Sequence, residues 1–119
     1  MNKAVLRIRR DVERETTDMS KRFTSSWRTG RSPAQVFTFE SPAALFRTIT
    51  PKRWELLERL QELGPCSLRG LARSLERDVK RVHDDVSGLT ELGLVEKTES
   101  GAIHVPFKVI EADFELRAA

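Results

Sequence analysis

The chain has 119 residues, 39% of them hydrophobic and 33% charged, the balance of a soluble globular protein long enough to bury a core without staples. Its single cysteine, Cys66, excludes an internal disulfide and a multi-thiolate zinc site, and no apolar run approaches the roughly 20 residues of a membrane span. The net charge of +3 is modest but uneven, with ten Lys and Arg against five Asp and Glu in residues 1–50 and eleven against thirteen in residues 51–119.

Residues 4–9 alternate apolar and polar side chains, as a half-buried strand does. From Asp11 to Arg28 the chain is highly charged. Of its apolar residues, Val12, Met19, Phe23 and Trp27, the last three recur at i, i+4 and i+8 as a narrow helical stripe. Ser25 and Ser26, then residues 29–33, break that helix, and residues 35–39 read as a second short strand. Ser41 and Pro42 fit the cap and first position of a helix carrying Leu45, Phe46 and Ile49. Thr50 and Pro51 repeat that signal and open a helix to Leu63, with Trp54, Leu57 and Leu60 as its stripe, Leu56 and Leu63 beside it, and Gly64 and Pro65 at its end. Ser67 caps a short helix with Leu68, Leu71, Ala72 and Leu75 on one face. Asp78 caps a longer one whose inward face is Val79, Val82, Val86 and Leu89, and Gly93 stops it. Two short apolar runs, 94–97 and 102–105, around the polar turn 98–101 predict a β-hairpin. Finally Ile110, Ala112, Phe114 and Leu116 alternate with Glu111, Asp113 and Glu115, a strand with one acidic face.

Three helices and a hairpin in this order, from Pro51 to Val105, make a winged helix-turn-helix. Ala72 is small enough for two helices to cross closely, Leu75 fills the turn, and Val79 and Val82 anchor the second helix on the first. The opposite face of that second helix carries Lys80, Arg81 and Asp84, with Ser87 and Gly88 further along. Lys80 and Arg81 lie in the first turn, the part of a recognition helix that enters the major groove of double-stranded DNA. An arginine forks onto guanine, and Asp84 can accept from a cytosine amino group. Ser67, Arg69, Arg73 and Arg77 are placed for phosphates, which fix position without reading sequence, and Lys97 and the backbone at Ser100 and Gly101 for a contact from the wing.

The runs Leu71-Ala72-Arg73-Ser74-Leu75, Val79-Lys80-Arg81-Val82-His83-Asp84-Asp85-Val86 and Leu89-Thr90-Glu91-Leu92-Gly93-Leu94-Val95-Glu96 resemble the MarR-like winged-helix regulators of prokaryotes. The stretch from Arg77 to Asp84 and the two-part layout resemble, more narrowly, the small predicted regulators that serve as antitoxins of toxin–antitoxin pairs. The resemblance covers residues 51–107. It implies sequence-specific operator binding by a homodimer, with repression, and in the narrower form a cognate toxin as protein partner. The alternative is a winged helix that binds only protein, because Arg69, Arg73, Arg77, Lys80 and Arg81 are nearly balanced by Glu76, Asp78, Asp84, Asp85 and Glu91.

No enzyme is expected. His83 lies between the valine face and Asp84, but adjacent helical residues do not face each other, so a partly buried structural histidine or a phosphate contact outweighs a general base. His104 has no evident partner. Cys66, beside a helix start, has at most a slightly lowered pKa, and a small residue in a turn is the stronger reading. Trp54 belongs to the core of its helix, and the stripe of Met19, Phe23 and Trp27 is assigned to a dimer or partner contact.

Arg7 and Arg9 share one face of the first strand, and Glu111, Asp113 and Glu115 one face of the last. This pairing predicts a sheet that also takes in residues 36–39, within one chain or between two. The competing account makes Arg7, Arg9 and Arg10 a DNA-binding arm. The expected fold is thus α+β and mainly α: an N-terminal strand and helix extension (1–49), a winged helix-turn-helix (50–107) and a C-terminal strand packed on the extension (108–119). The charged segment 11–32 is polar enough to serve as a mobile partner-binding element. No cofactor and no metal are expected, and residues 1–7 show no apolar signal segment, so a cytoplasmic location is expected, with no membrane partner.

Overall fold

The computed structural model describes residues 2–9, 34–116 and 118 and divides the chain into two units, Met1–Leu45 with Val109–Ala119, and Phe46–Lys108. Its class is α+β: among the described residues there are four helices, a three-stranded parallel sheet and a two-stranded antiparallel one. Among them no helix is long and apolar enough to cross a membrane. The stripe of Met19, Phe23 and Trp27, Val12, the breaks at Ser25, Ser26 and 29–33, Arg10, and nearly all of segment 11–32 as a partner-binding element lie outside the described residues.

In the first unit, strand β1 (Lys3–Ile8) is central, with β2 (Gln35–Phe39) parallel on one side and β5 (Val109–Ala112) parallel on the other. The three strands therefore share one sheet within one chain. A central parallel strand is covered on both faces, which overrides the alternation read in its sequence. Val5 is buried along with Ala4, Leu6 and Ile8, while the flanking Val36 and Val109 are exposed. Val5 stands opposite Glu111 and Arg7 opposite Thr38, so Lys3 reaches Glu111 at 3.2 Å and Arg9 reaches Glu40 at 2.9 Å. Exposed pairs of this kind contribute about 0–1 kcal/mol each. β5 also stops four residues short of the predicted strand: after Ala112 the ladder closes with the Asp113 amide donating to the Leu6 carbonyl, and Leu116 is left exposed.

Helix α1 (Pro42–Thr48) starts where Ser41 accepts a hydrogen bond from the Ala44 amide at 3.0 Å, with proline in the first turn where no donor is needed. Leu45 and, just past the helix, Ile49 are buried, whereas Phe46 is half exposed.

In Phe46–Lys108, local signals set every boundary. Thr50 caps α2 (Pro51–Leu63) by accepting from the Arg53 amide. Ser67 caps α3 (Leu68–Leu75) by accepting from Gly70, and Asp78 caps α4 (Val79–Leu92) by accepting from Arg81. Each cap is worth about 1 kcal/mol. Gly93, at φ 105°, closes α4 in a conformation that a side chain would strain. The hairpin pairs β3 (Glu96–Lys97) with β4 (Ile103–His104) antiparallel. Cys66 extends it, exchanging both backbone hydrogen bonds with Ile103 at 3.1 and 2.8 Å, so the expected turn residue is tied to the hairpin instead.

The core of this unit is Leu56, Leu57 and Leu60 of α2, Leu71 and Ala72 of α3, Val82, Val86 and Leu89 of α4, and Leu94, Val95, Ile103 and Phe107 beyond. Each fully buried leucine contributes about 1.5–3 kcal/mol. Leu68 and Leu75 of α3 are only partly buried, and three further expected core positions, on α2 and α4, are partly covered or exposed. Val79 opens α4 directly after its cap, one turn before the buried Val82, and is exposed. Leu63, on the last turn of α2, is exposed too. Trp54 is half-buried, because the buried face of α2 is centred on Leu56, Leu57 and Leu60.

Candidate functional site

The three buried positions of α4, Val82, Val86 and Leu89, fix which of its faces is free. Lys80, Arg81, Asp84 and Ser87 are exposed, and Asp84 is 72% so. On α3, Arg69 and Arg73 are exposed one turn apart, and Lys97 is exposed on β3. Among the described residues, the side chains of Arg69, Arg73, Lys80, Arg81 and Lys97 make no ion pair. Five cations thus stand unneutralised on α3, the first turn of α4 and the hairpin. Ser67 is exposed as well, but its hydroxyl is engaged as the cap of α3.

Arg77 sits apart from these. Its guanidinium is turned onto Asp85, with Nη2 at 2.8 Å from the carboxylate, and its side chain is only 16% exposed. Asp85 is also held by Arg53 of α2, whose Nε donates at 3.1 Å while its Nη1 donates to the Thr48 carbonyl at 2.8 Å. Two arginines therefore share one carboxylate that is 17% exposed, and Nη1 of Arg77 is buried with no hydrogen-bond partner. Gly88 belongs to this cluster rather than to the free face. A Cβ there would lie 2.8 Å from the Arg53 guanidinium. Sequence reasoning missed Asp85, although a signal was present: it falls three residues after Val82 and four before Leu89, on the edge of the buried stripe. A carboxylate there is stable only with cations against it.

Residues 48–112, from the end of α1 to the end of β5 and more than half of the chain, match the family described as HVO_A0114. The chain belongs to the HVO_A0114 family. No curated protein and no solved structure matches it. The part shared with the HVO_A0114 family contains all three helices α2 to α4, the hairpin, the five free cations and the Arg53–Asp85–Arg77 cluster.

The remaining candidate groups have other settings. His83 is 63% exposed, not partly buried, because its side chain leaves the helix beside the free face, and its Nδ1 lies 3.8 Å from Asp84. His104 does face a partner, Glu96, its register mate across the hairpin, at 3.8 Å. Burial pushes the Cys66 thiol above its ordinary pKa, opposite to the lowering expected from the nearby helix start, since desolvation penalises the thiolate. Among the described residues there is no cluster of three or more metal-ligating side chains.

Proposed function

We propose that this chain is a sequence-specific, DNA-binding transcriptional regulator in which residues 50–107 act as a winged helix-turn-helix. In this reading α3 and α4 are the helix-turn-helix, α4 is the recognition helix and the β3–β4 hairpin is the wing. The observation that carries it is the division of α4. Its inner face is apolar and buried, while its first turn offers Lys80 and Arg81 exposed and free of ion pairs. Cations cost little to leave in water but gain strongly from phosphates and guanine edges. Arg69, Arg73 and Lys97 add sequence-independent attraction. Asp84 adds discrimination, because a carboxylate repels phosphate and is tolerated only where it meets a base donor.

The regulator acts as a homodimeric repressor on a pseudo-palindromic operator, with recognition helices roughly 34 Å apart, one duplex turn. In its narrowest form it is MarR-like and an antitoxin that also neutralises a toxin.

A mobility-shift titration against the promoter of the protein's own gene tests this reading at two salt concentrations. The native chain is expected to prefer the promoter over a scrambled duplex. Lys80→Ala combined with Arg81→Ala is expected to abolish tight binding, at about 1–3 kcal/mol per residue. Equal, weak binding to both duplexes by native and variant chains would instead favour a module that binds only protein.

A further inference from the structure

We propose that Lys52, Arg77 and Arg81 form a seat for one backbone phosphodiester of duplex DNA, so that Arg81 grips the backbone and base reading on α4 falls to Lys80 and Asp84. This inference rests on the DNA-binding reading above and divides its cations by role. It starts from a cleft of about 440 Å³ lined by Lys52, Arg77, Asp78 and Arg81. Three of these four side chains, the lining among the described residues, are cationic. The carboxylate of the fourth is directed to the Arg81 amide as the cap of α4.

Beneath the cleft, Asp85 must neutralise Arg53 as well as Arg77, so one positive charge is left over in a poorly solvated place. Lys52 and Arg81 are exposed and, among the described residues, free of ion pairs. Among the described residues the lining offers no aromatic or aliphatic side chain on which a base could stack, and its cationic side chains suit an anion rather than a nucleobase.

Helical spacing separates Arg81 from Lys80. Arg81, Asp85 and Gly88 follow one another at i, i+4 and i+7 and so share one side of α4. Asp85 and the Gly88 position both meet Arg53 of α2, and Lys52 is its neighbour in the chain. Arg81 is therefore on the side of α4 that looks toward the start of α2. Lys80, Asp84 and Ser87 share the adjacent stripe, which is exposed throughout.

The test is a salt series of binding titrations with the promoter duplex and a scrambled duplex of equal composition, on the full chain and the exposed-site variants Lys52→Ala, Lys52→Gln, Arg81→Ala, Lys80→Ala and Lys52→Arg. One phosphate contact contributes about 0.9 to the slope of log K against log salt. Lys52→Ala, Lys52→Gln and Arg81→Ala are each expected to flatten that slope by up to this amount, since the three cations share one phosphate, and to weaken both duplexes by the same factor. Lys52→Arg is expected to keep the native slope, and Lys80→Ala to weaken the promoter duplex alone. Thermal melts of the variants check that the fold is kept.

A native chain that prefers its promoter while Lys52→Ala changes neither slope nor affinity overturns the seat and leaves the regulator reading intact. So does an Arg81→Ala chain that loses promoter preference as Lys80→Ala does. Inorganic phosphate that binds the native chain without DNA and not Lys52→Ala, with the DNA slope unchanged, would make the cleft a small-anion site and also overturn the seat. A native chain that binds neither duplex overturns the regulator reading and the seat with it.

Discussion

In Phe46–Lys108 every helix starts and stops on groups a few residues away, whereas β1 is held between segments from distant parts of the chain, Ala4 standing opposite Gln35 on one side and Ile110 on the other. The first arrangement satisfies backbone donors and acceptors as the chain is laid down. The second must close long loops before any hydrogen bond rewards them. The difference teaches where specificity resides in each. Caps and glycine stops define the helical unit, and burial of β1 on both faces defines the sheet.

Two core substitutions break the comparison most sharply. Val82 is fully buried on α4, and Val82→Asp, which puts an unpaired charge there, is expected to cost about 4 kcal/mol or more and to unfold Phe46–Lys108. Leu6 is equally buried at the middle of the sheet, and Leu6→Ala is expected to cost about 2–5 kcal/mol. Residue-level hydrogen exchange distinguishes them. Leu6→Ala should deprotect the amides of β1, β2 and β5 while α4 stays protected, and Val82→Asp the reverse. If either variant deprotects both sets equally, the two units unfold as one and the contrast between them is lost.

The same contrast explains what could be read in the sequence. Thr50, Ser67, Asp78 and Gly93 announce their helix ends because capping is a local bond between residues three apart or a single left-handed residue. The three strands were legible as strands, yet their parallel order and register were not, because nothing near Val5 encodes that Glu111 will lie opposite it. In the candidate site, the exposure of Lys80, Arg81 and Asp84 followed from the position of Val82. The inward place of Gly88 and the anchoring of Arg77 were not legible for want of one fact, that Arg53, thirty-two residues before Asp85, comes back to share its carboxylate. Lys52 was overlooked for the same reason: its relation to Arg81 exists only once α2 and α4 are packed.

That shared carboxylate is where the helical unit depends on distant residues after all. Asp85→Ala would leave two guanidiniums, 16% and 23% exposed, without their common partner. Hydrogen bonds to charged groups are worth about 1.5–3 kcal/mol, and the expected loss on chemical denaturation lies in that range. Asp85→Asn keeps acceptor geometry for one arginine but removes the charge, so it is expected to fall between the native chain and Asp85→Ala. A loss within a few tenths of a kcal/mol for Asp85→Ala would mean that solvent compensates both arginines, and the cluster would be an ordinary surface ion pair.

The smallest expected effect is also the most discriminating, because two terms of similar size oppose each other. In a helix interior, alanine is favoured over glycine by about 0.8–1.0 kcal/mol, so Gly88→Ala should stabilise α4 if the helix were all that mattered. The new Cβ, however, meets three atoms of the Arg53 guanidinium at 2.8 Å. Such a side-chain end normally swings aside at little cost. Here Nε is tied to Asp85 and Nη1 to the Thr48 carbonyl, so moving it breaks one bond or both. Overpacking against a fixed group costs about 1–3 kcal/mol, which exceeds the helical gain, and Gly88→Ala is expected to destabilise by about 1 kcal/mol net. Placed on Arg53→Ala, the same substitution meets no guanidinium and should stabilise by about the helical term. A thermodynamic cycle over the two positions therefore predicts a change of sign, not merely of size. Stabilisation by Gly88→Ala in both backgrounds would show Arg53 free to move, and a loosely held Arg53 cannot be what fixes Asp85, and through it Arg77, beneath the cleft.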